Sequence, residues 1–206
     1  MGWSERMITI PVPSESLVLE GVWQAGTEGG AVVAAPHPFY GGSLDHPVVN
    51  EVAYALYREG YASVRFNWRG VGASQGVPSG EPGDAERDFR AALEHLEQTV
   101  SPPLLAAGYS FGAATALRVG LTDARVRKLL LVSPPVEMIR DLPLEDLKRP
   151  LHVIVGQHDA FAPLEELTRL LAPLDEAWLE VIPNTDHFFT TGLANLSQLV
   201  RAAGAR

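Results

Sequence analysis

Strand-length apolar runs alternate with helix-length amphipathic stretches along almost the whole chain, and no other feature restricts its possible folds as much. "AVVAAPH", "YASVRFNW", "PLLAAGY", "VRKLLLVSP", "PLHVIVG" and "AWLEVIP" are short apolar runs, most of them continuous, as strands buried on both faces require. Between them lie helical patterns at roughly Pro47–Glu59, Asp84–Glu97, "FGAATALRVGL", Pro163–Leu171 and Phe188–Ala203. In the second of these, Phe89, Ala92, Leu93 and Leu96 repeat at the spacing of one buried helical stripe, with Glu86, Arg87, Arg90, Glu94 and Glu97 on the other side. Ahead of the alternation, "MITIPV" and "LVLEGVWQ" flank a Pro13–Ser16 turn and predict an antiparallel hairpin. The pattern predicts an α/β domain with a mostly parallel, doubly wound sheet and helices on both faces. In such sheets ligands bind beyond the carboxyl ends of the strands, so the residues at those ends carry the functional information.

Composition narrows the function classes. With 206 residues, 46% hydrophobic and 20% charged, the chain has the length and make-up of one folded domain, 1–206. It has no cysteine, which removes disulfides, thiolate metal sites and a cysteine nucleophile together. A net charge of −9 without a Lys/Arg cluster argues against nucleic acid or an anionic membrane as partner. No apolar run approaches the roughly 20 residues of a membrane-spanning helix. "MGWSERMITIPVPS" has no secretory pattern, and Arg6 stands where a myristoylation motif needs Ser or Thr, so the expected compartment is the cytoplasm. Neither metal-ligand spacing nor a dinucleotide fingerprint occurs, and no cofactor is expected.

Four strand ends carry distinctive groups: "HPFYGG" (37–42), Ser110, Asp159 in "QHDAF" and His187 in "NTDHFF". "GYSFG" (108–112) follows an apolar strand and opens a helix, the setting of a nucleophile elbow. There a tight turn lifts the serine hydroxyl above the sheet and leaves the N–H of Phe111 at a helix start. The competing reading makes Ser110 an ordinary helix N-cap. A serine hydroxyl needs a base, and the base an orienting acid. Asp159 follows Ser110 by 49 residues and His187 follows Asp159 by 28, in the order Ser, Asp, His. Of the six histidines, His95 is expected on a solvated helix face and His152 on the opposite rim. His46 precedes a proline in a loop, His158 is too close to Asp159, and His37 belongs to the early glycine loop. That leaves His187 as base. Asp159 is the preferred acid, with Glu137 as substitute and Asp186 disfavoured by its adjacency to His187. The "HPFYGG" loop, unless it is an ordinary Gly-Gly turn, is expected to supply a second oxyanion donor: Phe39 first, Tyr40 next, because Pro38 has no N–H, with His37 bracing the loop.

In "HPFYGGSLDHPVV", "RFNWRGVGASQG", "AAGYSFGAATAL", "VIVGQHDAFAP" and "IPNTDHFF", in that order, the chain resembles the α/β-hydrolase superfamily. Within it, the likeness is to small lidless bacterial hydrolases related to dienelactone hydrolase and serine aminopeptidase-like proteins. The resemblance implies Ser110 as nucleophile, Asp159 as acid, His187 as base, and Phe39 and Phe111 as oxyanion donors. Arg69, Gly70, Gly72 and Ser74 resemble the family's structural loop and take no catalytic role. Dienelactone hydrolases use a cysteine, absent here, so their substrate is not expected. About fifteen residues, Val136 to Pro150, stand where relatives insert a lid, too few for a cap domain. The expected cleft is open, with Phe39, Tyr40, Trp68, Phe161, Phe188 and Phe189 as candidate lining. The expected function is a serine hydrolase acting on a small-molecule ester or related acyl compound through an acyl-enzyme. The alternatives are a peptidase or amidase on the same groups and a non-catalytic ligand-binding protein. A haloalkane dehalogenase would need an aspartate at position 110. Oligomeric state does not follow from the sequence.

Overall fold

A computed structural model describes residues 4–13 and 15–205. Residues 1–3 of the N-terminal stretch read for targeting signals, Ser14 of the hairpin turn and Arg206 lie outside the described residues. The strands are β1 (Glu5–Val12), β2 (Leu17–Gln24), β3 (Gly30–Ala34), β4 (Ala62–Phe66), β5 (Leu104–Tyr109), β6 (Val126–Val132), β7 (Leu151–Gly156) and β8 (Ala177–Ile182). The helices are α1 (Pro47–Arg58), α2 (Pro82–Glu97), α3 (Phe111–Thr122), α4 (Val136–Ile139), α5 (Leu164–Leu171) and α6 (Leu193–Gly204).

One eight-stranded sheet runs in the order β1-β2-β4-β3-β5-β6-β7-β8. β1 pairs antiparallel with β2, and β2 antiparallel with β4; every pairing from β4 to β8 is parallel. The apolar runs explain the central order. All residues of β3, β4, β5 and β7 are buried, so each of these strands must be covered on both faces. Winding supplies the covers. From β3 the chain steps through α1 to β4 on one side, then returns through α2 to β5 on the other. Right-handed crossovers in opposite directions place α1 and α2 on opposite faces. Accordingly α1 packs against α6, and α2 against α3.

Local signals fix the helix ends. His46 caps α1 by accepting the Val48 N–H on Nδ1, with Pro47 at the first helical position. In α2 the buried stripe is Ala85, Phe89, Ala92, Leu93 and Leu96. The same face buries Asp88, whose carboxylate takes the backbone N–H and the guanidinium of Arg69. Arg69 reaches on to Asp84 and to Glu15 of the hairpin turn, so one cation ties the loop after β4 to α2 and the sheet edge. Burial pushes the Asp88 carboxyl up, and its bonds to Arg69 only partly offset this.

Two expectations need correction. The last helix begins at Leu193, not Phe188. Asp186 accepts the Phe188 N–H on its side chain, Phe189 has φ +51° and Gly192 has φ +92°, so the chain turns twice before it can coil. His95 is half-buried rather than solvated, and burial lowers its pKa. Among the described residues, no helix is long and apolar enough to cross a membrane.

Candidate active site

β3 and β5 are neighbours whose following helices leave toward opposite faces, which opens a crevice at their carboxyl ends. The loop 35–46 borders this crevice on one side and Ser110 on the other. The turn at Ser110 is forced by contact. A Cβ on Gly108 would lie 2.3 Å from the backbone of Gly112, and one on Gly112 would lie 2.5 Å from the carbonyl oxygens of Ala34 and Ala35. Only glycine at both positions lets β5 run so tightly into α3. Ser110 itself takes φ +55°, ψ −118°, a conformation that costs an L-residue on the order of 1–3 kcal/mol. Its side chain makes no capping bond to α3, so the N-cap reading is not realised. The hydroxyl points instead to His187.

Three side chains from distant parts of the chain form one line. His187 Nε2 lies 3.0 Å from Ser110 Oγ, and His187 Nδ1 lies 2.8 and 2.9 Å from the Asp159 carboxylate oxygens. Asp159 Oδ1 also accepts the backbone N–H groups of Phe161 and Ala162, each at 2.9 Å. Burial pushes the Asp159 carboxyl up, but the hydrogen bond from His187, with the nearby Ser133 hydroxyl next in effect, outweighs it and holds the group below the ordinary carboxylate range. An ionised carboxylate can only accept, so the ring proton sits on Nδ1 and Nε2 is left to accept from Ser110. Tyr109, buried beneath, donates its hydroxyl to the His187 carbonyl oxygen at 2.8 Å and fixes the loop.

The other candidates lie elsewhere. Glu137 is exposed and paired with Arg140. Asp186 turns back to cap its own loop. His158 is exposed, and His152 is buried in β7, stacked on Trp178 at 4.5 Å.

At the oxyanion side the two expected donors differ. The Phe111 N–H opens α3 and finds no acceptor among the described residues, as a first-turn N–H does. The Phe39 N–H is engaged by His37 Nδ1 at 3.3 Å, and the Tyr40 N–H by the His37 carbonyl at 3.0 Å. His37 packs edge-on to Phe111 with ring centres 4.7 Å apart, which holds the loop against the elbow. Trp68 Nε1 braces the same loop from below through the Ala35 and Pro36 carbonyls. Trp68 and Phe189 are core residues, whereas Phe39, Tyr40, Phe161 and Phe188 are each more than half exposed. Phe161 and Phe188 flank the His187 ring at 4.6 and 5.6 Å, and Phe39 and Tyr40 flank His37 at 5.5 and 5.0 Å.

Two features escaped the sequence reading. His46 sits beside Tyr109 at 5.0 Å, near enough to His187 that burial and then that neighbour's charge lower its pKa. Its "HP" dipeptide repeats that of His37, a legible capping signal. Ser133, next to Asp159, gave no signal in "LLLVSPP".

A family model described as serine aminopeptidase S33 matches residues 41–158, more than half of the chain. The match includes Ser110 and stops just before Asp159. An uncharacterized protein of Rickettsia prowazekii is 30% identical over 185 residues, 83% of this chain and 77% of that protein. An α/β serine hydrolase homologue from Coxiella burnetii superposes with a TM-score of 0.87 at 28% identity, covering 96% of each chain. A serine hydrolase without a lid from Xanthomonas campestris gives 0.83 at 27% identity, over 97% of this chain and 93% of that one. The chain thus belongs to the serine aminopeptidase S33 family of hydrolases, within the α/β-hydrolase superfamily.

Proposed function

We propose that this hydrolase cleaves small carboxylic esters or related acyl compounds through Ser110, His187 and Asp159, by way of an acyl-enzyme. The observation that carries the reading is the unbroken hydrogen-bond line Ser110 Oγ–His187–Asp159 on a strained elbow. His187 Nε2 takes the Ser110 proton as Oγ bonds to the acyl carbon, and Asp159 stabilises the imidazolium so formed. The carbonyl oxygen becomes an alkoxide, held by the free Phe111 N–H and by that of Phe39. The Phe39 bond to His37 is long, and an alkoxide is a stronger acceptor than a neutral imidazole, so the N–H turns to the substrate. Collapse breaks the carbon–oxygen bond of the leaving group, which receives the proton from Nε2. Water then attacks the acyl carbon, giving its proton to Nε2, and Ser110 leaves with that proton restored. The exposed rings of Phe39, Tyr40, Phe161 and Phe188 offer apolar surface to the acyl or alcohol part.

Replacing Ser110 with alanine should lower kcat for p-nitrophenyl acetate by at least about 10³-fold with the fold retained. Near-wild-type turnover would refute the assignment. The family description favours one second reading, a peptidase on the same groups. Competing ester and peptide substrates separate the two. A folded protein whose Ser110 resists a fluorophosphonate would point to a non-catalytic role.

A further inference from the structure

Ser133 is the first residue past β6, between the strand that delivers Ser110 and the strand that delivers Asp159. Its N–H bonds to the Ile154 carbonyl at 2.8 Å, and the preceding carbonyl, Val132, accepts the Ser110 N–H at 2.9 Å. The residue is fully buried at φ +48°. A glycine would relax that backbone and an alanine would avoid burying a hydroxyl, so a serine here combines two costs. Its Oγ has no hydrogen-bond partner of standard geometry, a condition shared among described buried side-chain atoms only by Gln24 Oε1.

β6 lies between β5 and β7, and the Asp159 carboxylate past β7 is close enough for the Ser133 hydroxyl to act on it. Oδ1 already takes the Phe161 and Ala162 N–H groups as well as His187, whereas Oδ2 takes only His187 and keeps an open lone pair. We propose that Ser133 is a positioning residue of the triad, its hydroxyl rotating to donate to Asp159 Oδ2 and hold that oxygen on the His187 Nδ1–H. Against the upward push of burial, the Ser133 hydroxyl ranks next after His187 among the neighbours that lower the Asp159 pKa. The proposal rests on the triad reading, because a carboxylate with no imidazolium to stabilise would need no such fixing.

The test compares Ser133→Gly, which suits the backbone, with Ser133→Ala, which keeps Cβ, and with wild type. Fluorophosphonate labelling of Ser110 in wild type comes first; no labelling there overturns the triad reading and this proposal with it. With labelling present, both variants should lose about tenfold in kcat for p-nitrophenyl acetate at unchanged KM, the loss expected for one charge-assisted hydrogen bond. The lost donor leaves Asp159 a stronger partner for the imidazolium, so the acid limb of kcat/KM should move to higher pH by about half a pH unit. A merely structural role would alter thermal stability without moving that limb. Wild-type kcat and an unmoved acid limb in the glycine variant, with Ser110 still labelled, would overturn the proposal and leave the triad reading standing.

Discussion

Replacing Asp159 with asparagine tests the whole proposed catalytic line while changing almost no volume. The Phe161 and Ala162 N–H groups both point at Oδ1 from 2.9 Å, so the amide oxygen must occupy that position. The amide nitrogen then falls where Oδ2 was, 2.8 Å from His187 Nδ1. Nδ1–H would keep the amide oxygen at 2.9 Å but meet a donor at its shorter contact, which favours the tautomer that accepts on Nδ1 and carries its proton on Nε2. In that tautomer Nε2 has no lone pair for the Ser110 proton at 3.0 Å. The barrier rises by what a mis-set base costs, about 10⁴-fold in kcat or about 5 kcal/mol. Initial rates on p-nitrophenyl acetate at saturating substrate, with a thermal melt to show the fold, make the measurement. KM should hold, and rates should recover partly at alkaline pH as hydroxide replaces the base. Glu137→Gln, on an exposed group paired with Arg140, should leave kcat unchanged. If the asparagine variant keeps kcat within tenfold of wild type, or the Glu137 variant loses more, the acid is misassigned.

The elbow and the histidine caps give two more expectations. Gly112→Ala puts a methyl 2.5 Å from two backbone carbonyl oxygens and should destabilise by more than about 3 kcal/mol, as overpacking against immovable atoms does. Gly83→Ala meets only the end of Arg87 at 3.6 Å and should be neutral or stabilising, and equal denaturation midpoints for the two variants would contradict the steric account. His37 and His46 cap backbone N–H groups through unprotonated Nδ1, and burial holds both pKa values below the ordinary 6.5. The folded state therefore binds their protons less readily than the unfolded state does. Their contribution is present above about 6.5 and is lost as pH falls through the lowered folded values. His46→Asn keeps a capping acceptor without the titration, so its chemical-denaturation stability should decline less steeply over that window than wild type. Parallel declines would dissociate the cap from the histidine.

What was legible in the sequence was what depends on local pattern. Continuous apolar runs such as Ala31–Ala34 announced strands covered twice, and the stripe through Phe89 and Leu96 announced a helix face. Contacts made across the sheet were less visible. Nothing local in "NTDHFFTTG" separates a helix start from two left-handed turns, because Asp186 caps its own loop and so delays α6 to Leu193. The "HP" at 37 and 46 could be read as cap and first helical proline, but not that His37 would occupy the Phe39 N–H expected to serve an oxyanion. Ser133 acquires interest only when the folded chain sets β6 between β5 and β7. Ser110, Asp159 and His187 stood out because each follows an apolar run, and parallel strands place such ends on a common rim.

Between β6 and β7 the chain spends its few residues on the single turn of α4 and one 3₁₀ turn at Leu144–Asp146. A connection this short is too small to act as a moving roof that must shut before chemistry begins. Its turnover should therefore be insensitive to solvent viscosity at saturating substrate. It should also show no jump in rate when substrate passes from dissolved monomers to droplets, the behaviour that a hinged cover produces.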